Sequence, residues 1–186
     1  MQNGYNGKIL HVNLNSKSLL VEKPPEELYR KYMGGSALNL YYLLKNMQPR
    51  VDPLGESNIL CISTGVTTGA PISGLSRATA SAKSPLTGAI GDSQCGGFWP
   101  AKLKFAGFDS IVIRGKAAEP VYLWIHDGEA ELRDASQLWG KITGDVESII
   151  KSELKDSDIE VLQIGPAGEK MVRFANIINM CNRANG

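Results

Sequence analysis

At 186 residues with a formal charge of +1, the chain is long enough for one domain with a sizeable core, or two small subdomains, and offers no electrostatic case for nucleic acid or an anionic membrane as its main partner. Its three cysteines, Cys61, Cys95 and Cys181, are odd in number and widely spaced, which argues against a disulfide framework and against a CxxC metal site. No apolar run approaches the roughly 20 residues that span a bilayer, and the first residues, MQNGYNGKILHVNL, lack the apolar core of a secretory signal, so a cytoplasmic location is expected.

In chain order, residues 8–14 alternate polar and apolar, 15–17 turn, and 18–22 return, the pattern of a hairpin with His11 on its exposed polar side. Pro24 and Pro25 break the strand, and Glu26 and Glu27 suit the start of a helix that stops at Gly34 and Gly35. Ser36 is placed to cap a second helix carrying Leu38, Tyr41, Tyr42 and Lys45 at helical spacing. Residues 52–55 (DPLG) read as a loop, and 58–64 (NILCIST) as a buried strand. That strand runs into a glycine- and threonine-rich loop, 65–71, which matches neither the Walker spacing nor GxGxxG.

The stretch 75–97, LSRATASAKSPLTGAIGDSQCGG, carries the strongest ligand signal in the composition. Arg77 opens a strand with little bulk on either face, residues 84–88 (SPLTG) turn, and 91–97 read as a loop of glycines and small polar residues. An arginine feeding a loop of exposed N–H groups is a cradle for phosphate; a tight hairpin with a surface loop accounts for the same composition. Residues 98–107 follow as a helix with Pro100 in its first turn and Gly107 as its stop, and Phe98, Trp99, Leu103 and Phe105 are expected in the core.

Residues 109–115 and 121–125 are strand-like, Asp127-Gly128 is a hairpin turn, and 129–132 continue the pair. Thr143 is placed to cap a helix over 144–154 with Val146, Ile149 and Ile150 on one face. Residues 159–164 read as a strand emptying into a second glycine loop, 165–169. Strands clustered around separated helices favour an α+β class, and the recurring strand-to-glycine-loop order hints at duplication without a sequence repeat. The apolar run 174–180 ends in Cys181-Asn182-Arg183-Ala184-Asn185-Gly186, read either as a disordered tail or as a loop whose continuation is missing.

Motifs spread over the whole chain resemble one family. They are residues 7–14 (GKILHVNL), 32–35 (YMGG), 51–54 (VDPL), 63–71, 83–88 (KSPLTG), 96–99 (GGFW), 103–109 (LKFAGFD) and 164–169 (IGPAGE). In this order they resemble the N-terminal domain of the tungsten-dependent aldehyde ferredoxin oxidoreductases. The resemblance implies an α+β fold of two similar β-rich subdomains with a few helices. It makes residues 1–186 a tungstopterin-binding domain, truncated at its C-terminal end, with the iron–sulfur and catalytic domains absent. The expected cofactor is tungsten (or molybdenum) held by two pyranopterin dithiolenes.

By the same resemblance the family's phosphate-binding arginine falls on Arg77, one cofactor-contacting loop on Gln94, Cys95 and Gly96, and another on Arg183, Ala184 and Gly186. A magnesium ion bridging the pterin phosphates would take the backbone carbonyls of Gln94 and Ala184. Gln94 and Asn185 depart from residues common in the family, and Cys95 reads as a small loop residue rather than a metal ligand. No catalytic residue is expected in this part. The full-length enzyme is expected to oxidise a small-molecule aldehyde to its acid and to pass electrons through a [4Fe–4S] cluster to ferredoxin. No nucleic acid or membrane partner is expected, and a homo-oligomer is compatible. The aromatic acyl-CoA reductase branch, faintly suggested by Phe98-Trp99, and a non-catalytic pterin-binding module remain open as alternatives.

Overall fold

The computed structural model describes residues 4–186; the first three residues of the N-terminal stretch read above lie outside them. Strands β1 (Ile9–Asn13) and β2 (Ser18–Glu22) form the expected hairpin. Helices α1 (Glu26–Tyr32) and α2 (Gly35–Asn46) follow, then β3 (Ile59–Thr64), β4 (Ala78–Lys83), β5 (Ile90–Cys95), α3 (Trp99–Phe105) and β6 (Ser110–Arg114). These six strands make one sheet in the order β2-β1-β6-β3-β4-β5, with β1 and β6 parallel and every other pair antiparallel.

Helices α1 and α2 cover one face of this sheet, where Tyr29, Leu38, Tyr42 and Leu43 pack on Ile9, Ile59, Cys61 and Val112. Leu10, Val12 and Ile111 point to the opposite face and meet Leu103 of α3 and Phe108. Burial on both faces overturns one expectation. His11 is 9% exposed rather than on a wet surface, because β6 joins from about a hundred residues later and makes β1 an interior strand. Its Nε2 lies 2.6 Å from Glu22 Oε2, and its ring meets the Tyr42 ring edge-on.

The small residues of β4 also have a reason. Asn39 of α2 donates to the Thr79 carbonyl and to Ser81 Oγ, each at 2.9 Å, and accepts from Ser63 Oγ at 2.5 Å, a close approach that larger strand residues would block. Asp109 ties down the N-terminal segment, accepting from the backbone of Asn6 and Gly7, from Tyr29 Oη and from Lys104 Nζ. Burial pushes the Tyr29 hydroxyl above its ordinary range, so it stays a donor.

The remaining chain forms the second β-rich part. Strands β7 (Val121–His126) and β8 (Glu129–Asp134) are a two-stranded ribbon lying between the main sheet and α4 (Thr143–Leu154). Leu123 and Ile125 face the sheet, while Tyr122 and Trp124 face Val146 and Ile150 of α4. A three-stranded sheet, β11-β10-β9, completes it, from β9 (Leu162–Gln163), β10 (Ile178–Asn179) and β11 (Arg183–Ala184), with a short α5 (Pro166–Glu169) between β9 and β10. The class is α+β as expected. Its two β-rich parts are unequal, one sheet of six strands against five strands in two small sheets.

Several local expectations change. Residues 91–95 of the expected loop 91–97 are strand, because β4 supplies a complete antiparallel partner. The strand expected at 159–164 shrinks to Leu162–Gln163, and 166–169 form a helical turn instead of a loop. Arg183 and Ala184 are strand, not a disordered tail. Neither Ser36 nor Thr143 caps its helix: Ser36 Oγ donates to Asp92 and Thr143 Oγ1 to the Cys181 carbonyl. Phe98 and Phe105 are exposed, while Leu103 is buried, since only one side of the two-turn α3 meets the sheet. Among the described residues no helix is long and apolar enough to cross a membrane.

Candidate functional site

The residues singled out on the sequence come from three separate segments, and the fold brings them to one edge of the main sheet. Arg77 precedes β4, Gln94 and Cys95 end β5, and Arg183, Ala184 and Gly186 lie on or after β11. The contact between the segments is a backbone exchange. The Gln94 N–H donates to the Gly186 carbonyl at 2.8 Å, and the Gly186 N–H donates to the Gln94 carbonyl at 3.0 Å. An otherwise open edge of β5 is thereby paired, which also holds Gly186 in register with Gln94.

Two glycines form a shelf beside this pairing. A Cβ built on Gly96 would fall 2.6 Å from Arg77 Nη1, so the guanidinium lies directly against the Gly96 backbone. Gly97 has φ +92°, a left-handed conformation that disfavours side chains, and a Cβ there would fall 2.6 Å from Asn179 Oδ1 and 3.3 Å from Arg183 Cδ. The left-handed position is therefore Gly97, while Gly96 serves close approach. Ser76 Oγ ties the shelf down by donating to the Gly97 carbonyl at 2.6 Å.

Arg77 and Arg183 are exposed and stand in none of the ion pairs among the described residues. Two uncompensated guanidiniums over a backbone shelf create a positive field suited to an anion with several oxygens. Cys95 lies beneath in the core with Ile62, Ala78 and Ala80. Burial pushes its thiol above the ordinary range, against the pull of the Ala78 backbone and of the Arg77 and Arg183 charges. It is a packed, protonated strand residue and not a thiolate ligand.

Asn179 was not singled out on the sequence. It is 0% exposed, and neither Oδ1 nor Nδ2 has a partner among the described residues; Asn185 Oδ1 is also unpartnered. An asparagine before a short turn carries no local sign that folding will slide it under Gly97. Among the described residues no three His, Cys, Asp or Glu side chains stand close enough together to hold a metal ion. A cavity of about 910 Å3, lined by Trp99, Leu123, Trp124, Ile150 and Glu160, lies elsewhere, between the main sheet, the ribbon and α4. None of the six predicted site residues lines it.

Comparison with known proteins places the chain in a family. Residues 9–186 match the family model described as aldehyde ferredoxin oxidoreductase, N-terminal domain. A tungsten-containing aldehyde ferredoxin oxidoreductase of Pyrococcus abyssi is 47% identical over 185 residues, 98% of this chain and 30% of that protein. Its counterpart in Pyrococcus horikoshii is 45% identical over 185 residues, with the same shares covered. A solved structure, the active-site complex BamBC of benzoyl coenzyme A reductase with 1,5-dienoyl-CoA, superposes with a TM-score of 0.95 at 36% identity, over 100% of this chain and 28% of that one. The chain thus spans about 30% of the length of the curated relatives it matches. It belongs to the aldehyde ferredoxin oxidoreductase family of tungsten enzymes, as their N-terminal domain.

Proposed function

We propose that this domain binds one side of a tungsten bis-pyranopterin within a longer enzyme that oxidises aldehydes to carboxylic acids and delivers the electrons to ferredoxin. The carrying observation is the pair of unpaired guanidiniums, Arg77 and Arg183, set on the Gly96–Gly97 shelf beside the Gln94–Gly186 pairing. Phosphate oxygens of the pterin would take the guanidinium donors. The absence of a side chain at Gly96 lets the Arg77 guanidinium lie against the backbone, Gly97 makes room for Asn179 and Arg183, and the paired strands keep that backbone from moving.

The Gln94 carbonyl already accepts the Gly186 N–H and retains its second lone pair, so it fits a magnesium ligand role, together with the Ala184 carbonyl. The bound tungsten would supply the two-electron redox chemistry, with a [4Fe–4S] cluster carried outside these residues. What this chain supplies is binding, orientation and charge neutralisation; no residue here is assigned a catalytic proton transfer. The same reading places the enzyme in the cytoplasm with ferredoxin as partner.

The test is cofactor content of the full-length enzyme. Charge-assisted hydrogen bonds of about 1.5–3 kcal/mol are at stake at Arg77. Arg77→Ala should fold and lose most tungsten and pterin, Arg77→Lys should recover part, and Gln94→Ala, which keeps its carbonyl, should stay near full content. Full content in Arg77→Ala removes this surface from the cofactor site. The structural likeness to benzoyl coenzyme A reductase supports a second reading, reduction of an aromatic acyl-CoA thioester. A turnover panel of aldehydes against such thioesters separates the two.

A further inference from the structure

Arg183 sits on β11, and both β10 and β11 are two residues long, too short a ladder to set the direction of a side chain alone. The turn that joins them is costly. Met180 and Cys181 both have left-handed backbones, φ 49° and 61°, without being glycine. Asn179, just before them, has the buried amide without partners described above.

Helix α4 holds this turn from the side. The Cys181 N–H donates to Glu147 Oε2 at 2.9 Å, its Sγ lies 3.3 Å from the same oxygen, and its carbonyl accepts from Thr143 Oγ1 at 2.7 Å. Glu147 is 7% exposed, and its other oxygen is occupied by Lys151 Nζ at 2.8 Å. Both polar groups of the Cys181 backbone are thus tied to the first turns of α4, two residues ahead of Arg183. From Arg183 the chain runs through Ala184 to Gly186 and its exchange with Gln94.

We infer that Glu147, assisted by Thr143, is a positioning residue of the anion-binding surface: by clamping the Cys181 turn it sets the direction of Arg183 and the register of Ala184–Gly186 against β5. This rests on Arg183 and Gly186 being contacts of the cofactor, as proposed above. A helix remote in sequence from Arg77 and Gln94 then decides whether the two halves of the surface meet.

The experiment uses the full-length enzyme with Glu147→Ala, Glu147→Gln and, as a same-helix control, Ile150→Val, which trims the core beside α4 without touching Cys181. Amide exchange by mass spectrometry over residues 176–186 is read on cofactor-free protein, and tungsten and pterin content on protein as purified. Glu147→Ala should speed exchange at the turn at least tenfold and lower cofactor content several-fold. Glu147→Gln, whose amide oxygen still accepts the Cys181 N–H, should recover part of both and keeps the test alive if the alanine variant does not fold. Ile150→Val should leave both unchanged. Unchanged exchange, faster exchange with full cofactor, or equal cofactor loss in Ile150→Val would each overturn the inference. Full cofactor content in Arg77→Ala would instead sink the cofactor reading, while the exchange data still report on the clamp.

Discussion

The neighbouring glycines of the shelf separate binding from folding. At Gly96 an added Cβ falls 2.6 Å from Arg77 Nη1, against the roughly 3.5 Å of ordinary contact, so the guanidinium must retreat by about 1 Å. Arg77 is exposed and its tip is free to swing, so Gly96→Ala should cost no more than about 0.5 kcal/mol of stability. A charge-assisted bond of about 2.7–2.9 Å does not survive such a displacement, and about 1.5–3 kcal/mol of binding should go with it, roughly tenfold to 150-fold in affinity. At Gly97 the added Cβ meets Asn179 Oδ1 at 2.6 Å and Met180 Sδ at 2.7 Å, on a backbone at φ +92°. Left-handed strain of about 1–2 kcal/mol and overpacking of about 1–3 kcal/mol make Gly97→Ala a folding variant, destabilised by roughly 2–5 kcal/mol. The assay is denaturant unfolding of cofactor-free protein beside metal and pterin analysis of protein as purified. Equal destabilisation by both variants would refute the idea that only a flexible tip opposes Gly96. Full cofactor content in Gly96→Ala would refute the shelf as a binding surface.

Two further outcomes follow from buried charge. Asp109→Asn keeps an acceptor but leaves Lys104, whose side chain is 7% exposed, without the negative charge 2.7 Å away, and should cost about 3–5 kcal/mol in denaturant unfolding; a loss below 1 kcal/mol would show that the pair does not organise the N-terminal segment. Burial pushes the Glu147 carboxyl up, but hydrogen bonds from Lys151 and Cys181 outweigh it and hold the group below the usual glutamate range. A carboxyl depressed in the folded state adds stability that is fully present above the unfolded value of about 4.3 and is lost as pH falls through the folded value. Glu160, also facing Lys151, is shifted upward by burial and slopes the opposite way, so the measurement is the stability difference between wild type and Glu147→Gln. That difference should be constant from about pH 7 to 5.5 and shrink steadily below about pH 4.3. A difference that does not change with pH would remove the charge from the clamp.

Much of the fold is legible locally. The alternation of residues 8–14, the Asp127-Gly128 turn and the helical spacing over 144–154 each act within a few residues, and each element appears. The family is legible too, because its motifs recur in order along the chain. The candidate site was legible only as parts. Arg77 stands out by residue type, and Gln94 and Arg183 only through the family resemblance, yet nothing in the sequence says that Gly186 pairs with Gln94, since the two are brought together by folding across the whole second half of the chain. The same holds for His11, buried by a parallel strand from far along the chain, and for 91–95, which read as loop until β4 is laid beside them. Hydrophobic periodicity and turn chemistry are properties of neighbours in sequence. Edge or interior strand, free or clamped turn, and which glycine must be left-handed are properties of neighbours in space, and only the packed structure decides them.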